Sequence, residues 1–305
     1  MITQTATAFS EARTRAARRS AVPFVLLAPA AGVVVLLFGG GLALGLVQSL
    51  GYLPAAGMSE LTVAHFINVL ADPDFFTSLG LTFYIALTST VIACALSVAA
   101  ALALNALTGR SRIIQFVFQI PLTVPHLVIA VAVIFMLAPN GLLSRLWLTL
   151  GLIDSSAAFP LLVNDRWGVG IMAAYIWKEV PFITLMLLAV LRGAGSELLD
   201  VGRTLKAGRW QCFRHVVLPI ISPSLGAAGL IVFAYTFGAF EVPYLLGQTY
   251  PMMLPVWAYR SYSDVDLLSR PEGIAAGLVI AAVVTGAVAL AQSLTQAARR
   301  RGVVL

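Results

Sequence analysis

The sequence contains little charge. Of its 305 residues, 10% are Asp, Glu, Lys or Arg, whereas 60% are hydrophobic. A soluble domain carries roughly 25% charged residues, so this shortage excludes an ordinary globular protein. Stretches without Asp, Glu, Lys or Arg run from Ala21 to Ser59, from Phe75 to Gly109 and from Ile113 to Ser144. Because a spanning helix needs about 20 apolar residues, these stretches predict an all-α, polytopic membrane protein.

Lysine, histidine and cysteine are also scarce, and their shortage excludes several kinds of chemistry. The residues concerned are Lys178, Lys206, His65, His126, His215, Cys94 and Cys212. Neither lysine stands in a Gly-x-x-x-x-Gly-Lys-Ser/Thr pattern, so the chain has no P-loop of its own with which to bind ATP. The histidines and cysteines lack the spacing of a metal site or a disulfide framework. We therefore expect no catalytic residue, metal or cofactor, and uphill transport would need an ion gradient or another subunit.

Apolar runs separated by turn-forming stretches such as YLPAAG, APNG and RPEG predict six membrane spans. The predicted spans are Val22–Leu50, Phe76–Leu107, Ile113–Leu137, Trp167–Leu191, Val216–Leu246 and Gly273–Gln292. We divide the chain into an N-terminal tail (1–20), a membrane domain (21–297) that contains a loop at 192–215, and a C-terminal tail (298–305).

The basic residues predict the orientation of the spans, because Lys and Arg collect on the cytoplasmic side of a membrane. If both termini lie in the cytoplasm, fourteen of the 19 Lys and Arg residues lie inside and four lie outside. Eight of the 13 acidic residues then fall outside. The net charge of +6 is therefore explained by topology, and it gives no reason to expect nucleic-acid binding.

The densest basic segment, DVGRTLKAGRWQCFRHVVLP at 200–219, lies in the predicted cytoplasmic loop between the fourth and fifth spans. It resembles a loop of the integral membrane subunits of binding-protein-dependent ABC importers. The pattern of that loop is Glu-Ala-Ala, three residues, Gly, nine residues, Ile, one residue and Leu-Pro. Leu218-Pro219 match the last two positions, Val216 stands at the Ile, and Asp200-Val201-Gly202 stand at Glu-Ala-Ala. The departures are Lys206 in place of the Gly and an Asp in place of the Glu.

The six spans, the cytoplasmic termini and the WKEVPF of the fourth span are also similar to these permeases. The resemblance implies the fold of a type I ABC importer permease in a bacterial inner membrane, with both termini cytoplasmic. The implied partners are a second permease subunit, two ATP-binding cassette subunits, an extracytoplasmic solute-binding protein and membrane lipid, with no nucleic acid. The loop residues implied to couple to the ATPase are Asp200, Val201, Gly202, Arg203, Lys206, Ala207, Gly208, Trp210, Leu218 and Pro219.

Within the family, the FEVPYLLG segment and the loop lengths resemble those of the spermidine/putrescine permeases. This resemblance implies that the substrate is a polyamine or a similar small cation. Permeases for sugars, ferric ion, thiamine or aminophosphonates share the same layout, so those solutes remain alternatives. A self-sufficient secondary transporter is the alternative from another class of protein.

Two carboxylates, Glu179 and Glu241, lie within predicted spans, where ionisable residues are costly and usually face a cavity or a partner. Aromatic residues surround Glu241, and a carboxylate with aromatic faces suits an amine cation. The alternative is that Glu241 reaches the outer surface or bonds a neighbouring helix. The candidate substrate path consists of Glu241, Tyr235, Phe240, Tyr244 and Glu179.

The lysine at the family's glycine position predicts where the coupling loop turns. A glycine there indicates a backbone at positive φ, which a residue with a Cβ enters at a cost of about 1–2 kcal/mol. Gly208 can supply that freedom in place of Lys206. We therefore predict a break between two short helices at Ala207–Gly208, with Lys206 still helical.

Overall fold

The computed structural model describes residues 26–106, 112–193 and 208–300, and the regular elements within these ranges are helices. They are α1 (Leu26–Ser49), α2 (Ala64–Ala71), α3 (Pro73–Ala106), α4 (Arg112–Thr123), α5 (His126–Leu137), α6 (Leu142–Thr149), α7 (Val169–Arg192), α8 (Arg209–Gly238), α9 (Glu241–Leu246), α10 (Leu254–Tyr262) and α11 (Arg270–Arg300). Both α1 and α8 contain one π-helical turn, at Val35–Gly39 and Phe213–Val217.

Six segments are long and apolar enough to cross a membrane. They are Leu26–Ser49, Pro73–Ala106, His126–Thr149, Val169–Arg192, Arg209–Gly238 and Leu267–Ser293. The predicted all-α fold with six spans is therefore confirmed.

The third predicted span has the wrong bounds. It was expected as one helix over Ile113–Leu137, whereas α4 and α5 are separate helices with a break between Thr123 and His126. The crossing segment begins only at α5 and continues through α6. Pro125 explains the break, because proline offers no N–H and its ring would clash with the carbonyl of Pro121 in a continuous helix. Both α4 and α5 pack against α7.

The fifth predicted span, Val216–Leu246, is displaced along the chain, since α8 begins at Arg209. It was expected to reach Leu246, but α8 ends at Gly238 and Ala239 is extended, with ψ 135°. Pro243 explains this end, because its ring would clash with the carbonyl of Ala239 if the helix continued. Glu241 is therefore the first residue of the short helix α9 and does not lie within the long span.

The bundle is built on the packing of α3 against α7, with α8 packed on both. Gly229 permits a close approach of α8 to α3, because a Cβ at this position would lie 3.0 Å from Sγ of Cys94. Small residues at such contacts are typical of helices packed in membranes. An apolar cluster, which includes Ile129, Tyr175 and Val242, joins α5, α7 and α9. The polar residues that lie beside this cluster form the candidate site.

Candidate transport pathway

Lys178 lies near the middle of α7, and its ammonium group reaches the break between α4 and α5. Its Nζ donates hydrogen bonds to the carbonyl oxygens of Pro121 (2.9 Å), Leu122 (3.0 Å) and Val124. The side chain is buried, with 8% of the residue exposed. An ammonium group has three protons, so these carbonyls use all of them. The positive charge also lies at the C-terminal end of α4, where the helix dipole favours a cation.

Glu179, the next residue of α7, reaches the other side of the break. Its Oε1 lies 3.3 Å from Nε2 of His126, the first residue of α5. Successive residues of a helix point about 100° apart, which allows Lys178 to reach α4 while Glu179 reaches α5. The imidazole of His126 also lies against the ring of Tyr235 on α8, with 4.7 Å between the ring centroids and 33° between the planes. Two neighbouring charged residues thus connect α7 to both halves of the broken segment.

Tyr175 lies one turn before Glu179 on α7 and contributes a hydroxyl group to the same region. Its ring centroid is 6.4 Å from that of His126. The residue is 1% exposed, and its hydroxyl has no hydrogen-bond partner among the residues that the structure describes. Leaving a buried polar group unpaired costs about 1–3 kcal/mol, so this hydroxyl indicates a position suited to a further polar group. The carboxylate of Glu241 lies within electrostatic range of both Tyr175 and Tyr235.

Glu241 begins α9 beside an aromatic cluster formed by Phe240, Tyr244 and Tyr259. The ring centroids of Phe240 lie 5.3 Å from Tyr244 and 4.4 Å from Tyr259, and those of the two tyrosines are 5.7 Å apart. Glu241 is exposed, and no hydrogen bond or ion pair joins its carboxylate to another residue in the described ranges. An exposed carboxylate on a membrane bundle needs either water or a partner beside it. This face of the chain therefore suits a polar pathway better than contact with lipid.

The structure brings together only part of the predicted path. Glu179 and Tyr235 contact the imidazole of His126, and Glu241 lies within electrostatic range of Tyr235, whereas Phe240 and Tyr244 belong to the aromatic cluster. Sequence reasoning missed His126, Tyr175 and Tyr259 and gave Lys178 no partner. His126 had one usable signal, its place directly after a proline inside an apolar run. Tyr175 had none, because its position depends on how α7 packs.

Among the described residues, no three His, Cys, Asp or Glu side chains converge as a metal would require.

Most of the predicted ATPase-coupling residues lie outside the described ranges. These are Asp200, Val201, Gly202, Arg203, Lys206 and Ala207. Gly208 is described, and its φ of −65° and ψ of 160° are extended. The expectation that Gly208 supplies a positive φ is therefore wrong. It is the residue that precedes the first turn of α8, and its N–H donates to Oε1 of Gln211 at 2.9 Å.

The remaining coupling residues lie at the start of α8. Trp210 is 67% exposed and packs on Phe213, with 5.4 Å between ring centroids. Leu218 and Pro219 follow the π-helical turn Phe213–Val217 and continue the helix. A wider turn before a proline relieves the clash that a proline ring makes inside a regular helix. The start of α8 therefore presents a large exposed indole directly after the loop.

Comparison with known families identifies the chain. Residues 93–301 match the model of the binding-protein-dependent transport system inner membrane component. This match covers more than half of the sequence, and the chain belongs to that family. The protein is thus a membrane-spanning permease of a type I ABC importer, and the alternative of a self-sufficient secondary transporter is set aside.

Several relatives are permeases, and two of the three described here have names that specify a solute. The molybdenum transport system permease protein ModB of Azotobacter vinelandii is 27% identical over 56% of this chain and 74% of ModB. The sulfate transport system permease protein CysW of Synechocystis is 28% identical over 73% of this chain and 78% of CysW. The inner membrane ABC transporter permease protein YnjC of Escherichia coli is 26% identical over 79% of this chain, but this covers only 45% of YnjC.

Solved structures share the fold. A chain from the crystal structure of a bacterial ABC transporter involved in the import of the acidic polysaccharide alginate has a TM-score of 0.74 and 19% identity, and the match covers 91% of this chain and 97% of the other. In a bacterial alginate ABC transporter in complex with an alginate pentasaccharide-bound periplasmic protein, a chain has a TM-score of 0.75 and 20% identity. That match covers 93% and 96% of the two chains. At these identities the likeness is evidence for the fold and not for the solute.

Proposed function

We propose that this permease lines one half of a solute pathway with the face that carries Tyr235, Glu241 and the aromatic cluster. The observation that supports it is the exposed carboxylate of Glu241, which lies within electrostatic range of Tyr175 on α7 and Tyr235 on α8. A second permease subunit would supply the other half of the pathway, and a solute-binding protein would deliver the solute. Two separate ATPase subunits would hydrolyse ATP, because this chain carries no P-loop.

The ATPase subunits would meet the loop before α8. The exposed indole of Trp210 supports this assignment, since large aromatic side chains are enriched at the centres of protein interfaces. The basic residues around it support a cytoplasmic position for this loop and for both termini. Movement of the loop would then pass directly into α8, the helix that carries Tyr235.

We further propose that the solute is a small cation, such as a polyamine. Glu241 brings negative charge to the pathway face, and the buried Glu179 adds a carboxylate beside His126. The ammonium group of Lys178 is used by three backbone carbonyls. Aromatic faces beside a carboxylate attract alkylammonium groups. The names of the relatives range from molybdenum and sulfate to ferric ion, so they do not select one solute, and the polyamine resemblance stays a prediction.

The solute class is tested first on the partner that selects it. A thermal-shift screen of the cognate solute-binding protein should give its largest stabilisation with an amine, because a ligand that binds only the folded state raises its stability. Sugars, oxyanions and ferric chelates are the other ligand classes in the screen. Stabilisation by an oxyanion or a sugar alone would contradict the cationic solute.

Removal of the charge of Glu241 then tests the pathway. In proteoliposomes that contain the whole importer, Glu241→Gln should lower uptake of the solute found in the screen by about tenfold, the factor that corresponds to losing one charge-assisted contact. Glu60→Gln is the matched control, because Glu60 is also exposed and lies outside the site. Uptake by Glu241→Gln equal to that of the control would contradict the proposed pathway face.

A further inference from the structure

The break between α4 and α5 leaves backbone carbonyls without their usual helical partners. In a continuous helix the carbonyl of Pro121 would accept from the N–H of residue 125, but that residue is a proline. Carbonyls inside a membrane bundle have no bulk water to bind, so each needs a partner from the protein. Lys178 provides that partner for Pro121, Leu122 and Val124. Its side chain therefore caps the C-terminal end of α4 from another helix.

The adjacent residue of α7 fixes the other side of the break. Glu179 pairs with His126 at 3.3 Å, and His126 is the first residue after Pro125. The ring of His126 then packs on Tyr235, a residue that is 40% exposed and lies on the proposed pathway face. A continuous chain of contacts thus runs from the ammonium group through the break to a pathway residue.

We infer that Lys178 is a positioning residue for transport. By capping α4 it stabilises the break that Pro125 imposes, and the break places His126 between Glu179 and Tyr235. Without the ammonium group, the carbonyls at the end of α4 would seek other donors, and the start of α5 would move with them. This inference rests on the proposed function only in that it takes Tyr235 to face the pathway.

The test combines a local signal with a transport signal in the intact importer. Lys178→Met removes the charge and keeps a flexible chain of similar length, whereas Lys178→Arg keeps a cation and its donors. Solid-state NMR of labelled histidine reports on the imidazole of His126, one of three histidines in the chain; the His126→Gln variant assigns its signal. Phosphate release stimulated by the solute-binding protein reports on transport.

In Lys178→Met, the His126 signal should move to the position seen in Glu179→Gln, where the imidazole has lost its carboxylate partner. Stimulated phosphate release should fall about tenfold, the factor that corresponds to losing one charge-assisted hydrogen bond. Lys178→Arg should retain most of both properties. Trp177→Met is the matched control, because Trp177 is the preceding residue of α7 and 47% exposed, and it should leave both properties unchanged.

Two outcomes would overturn the inference. One is a His126 signal that stays at its original position in Lys178→Met, and the other is a shifted signal with normal stimulated phosphate release. If Lys178→Met does not assemble, Lys178→Arg carries the test, and a reduced rate with an unmoved His126 signal would again overturn it. Because the His126 signal is read without transport, this result is independent of the outcome for Glu241→Gln.

Discussion

Lys178 and Glu179 show, at the scale of single residues, how adjacent charges are accommodated inside a membrane bundle. They are neighbours in sequence, yet within the described ranges each is bound by a different helix: Lys178 by the carbonyls at the end of α4 and Glu179 by His126 at the start of α5. Buried charges persist only where such partners satisfy them. The contacts of Lys178 and Glu179 also stabilise the break between α4 and α5, because the apolar side chains around the break offer its backbone carbonyls no hydrogen bonds.

Tyr250 offers a residue-scale prediction on the connection between α9 and α10. Its hydroxyl donates a hydrogen bond to Oδ1 of Asp74 at 2.8 Å. This bond and the charge of Asp74 raise the pKa of Tyr250 above its ordinary value of 10.0, because both favour the protonated phenol. The folded pKa thus exceeds the unfolded one. The contact contributes its full stability below the unfolded pKa and loses it as the pH rises through the folded pKa.

Asp74→Asn should therefore lower the pKa of Tyr250 towards its ordinary value. Ring-labelled tyrosine NMR across alkaline pH measures this pKa, and Tyr250→Phe identifies the signal among the eight tyrosines. Asp264→Asn, in an exposed loop elsewhere, should leave the Tyr250 titration unchanged. An unchanged titration in Asp74→Asn would show that the hydrogen bond does not hold in the folded protein.

The sequence predicted the site residues whose type is rare in apolar runs, and it missed those whose role depends on how the helices pack. Glu179 and Glu241 were predicted because carboxylates are conspicuous in apolar runs. His126 and Tyr175 were missed because an imidazole or a phenol in such a run is unremarkable until a partner helix is placed beside it. Gly208 was assigned the wrong backbone geometry, since a glycine in a loop predicts φ freedom without showing whether the chain uses it.

At the scale of helices, proline explains the ends that the hydropathy pattern missed. Hydropathy sums apolar character over a window, and Pro125 and Pro243 change that sum very little. Each nevertheless interrupts a helix, because each lacks an N–H and clashes with a carbonyl four residues earlier. Pro181 shows why the rule is incomplete, since it lies inside the unbroken helix α7. Neighbouring helices decide which prolines break a membrane helix.

Gly273 gives a prediction for the packing of α10 on α11. A Cβ at Gly273 would lie 2.6 Å from the backbone nitrogen of Tyr262 and 2.7 Å from the carbonyl oxygen of Ala258. Backbone atoms cannot move aside cheaply, so Gly273→Ala should destabilise the protein by about 1–3 kcal/mol, the usual cost of overpacking. Thermal unfolding in detergent should show a lowered Tm.

The control for this prediction lies one turn further along the same helix. A Cβ at Gly277 would meet no atom of the described residues within 4 Å, and alanine favours a helix by about 1 kcal/mol over glycine. Gly277→Ala should therefore leave the Tm unchanged or raise it slightly. Equal Tm values for the two variants would contradict the close contact between α10 and α11.

At the scale of the whole molecule, the architecture was predictable because a membrane imposes it. Long uncharged runs have few alternatives to spanning helices, since the backbone must satisfy its own hydrogen bonds in lipid. The number of spans and the fold class followed from that constraint. The pathway face did not follow, because its residues come from α5, α7, α8 and α9, and hydropathy carries no information on which helices are neighbours.

The orientation of the bundle remains a prediction from the basic residues, and two engineered cysteines test it. Ser155 is exposed before α7, and Gln211 is exposed after it, near the start of α8. The 24 residues of α7 rise about 36 Å, enough to place the two positions on opposite sides of a membrane.

After replacement of Cys94 and Cys212, a membrane-impermeant maleimide should label Ser155→Cys in intact cells. It should label Gln211→Cys only after the membrane is opened, because the fourteen inner basic residues favour the cytoplasm. The reverse pattern would invert the topology and place the loop before α8 on the side without ATP.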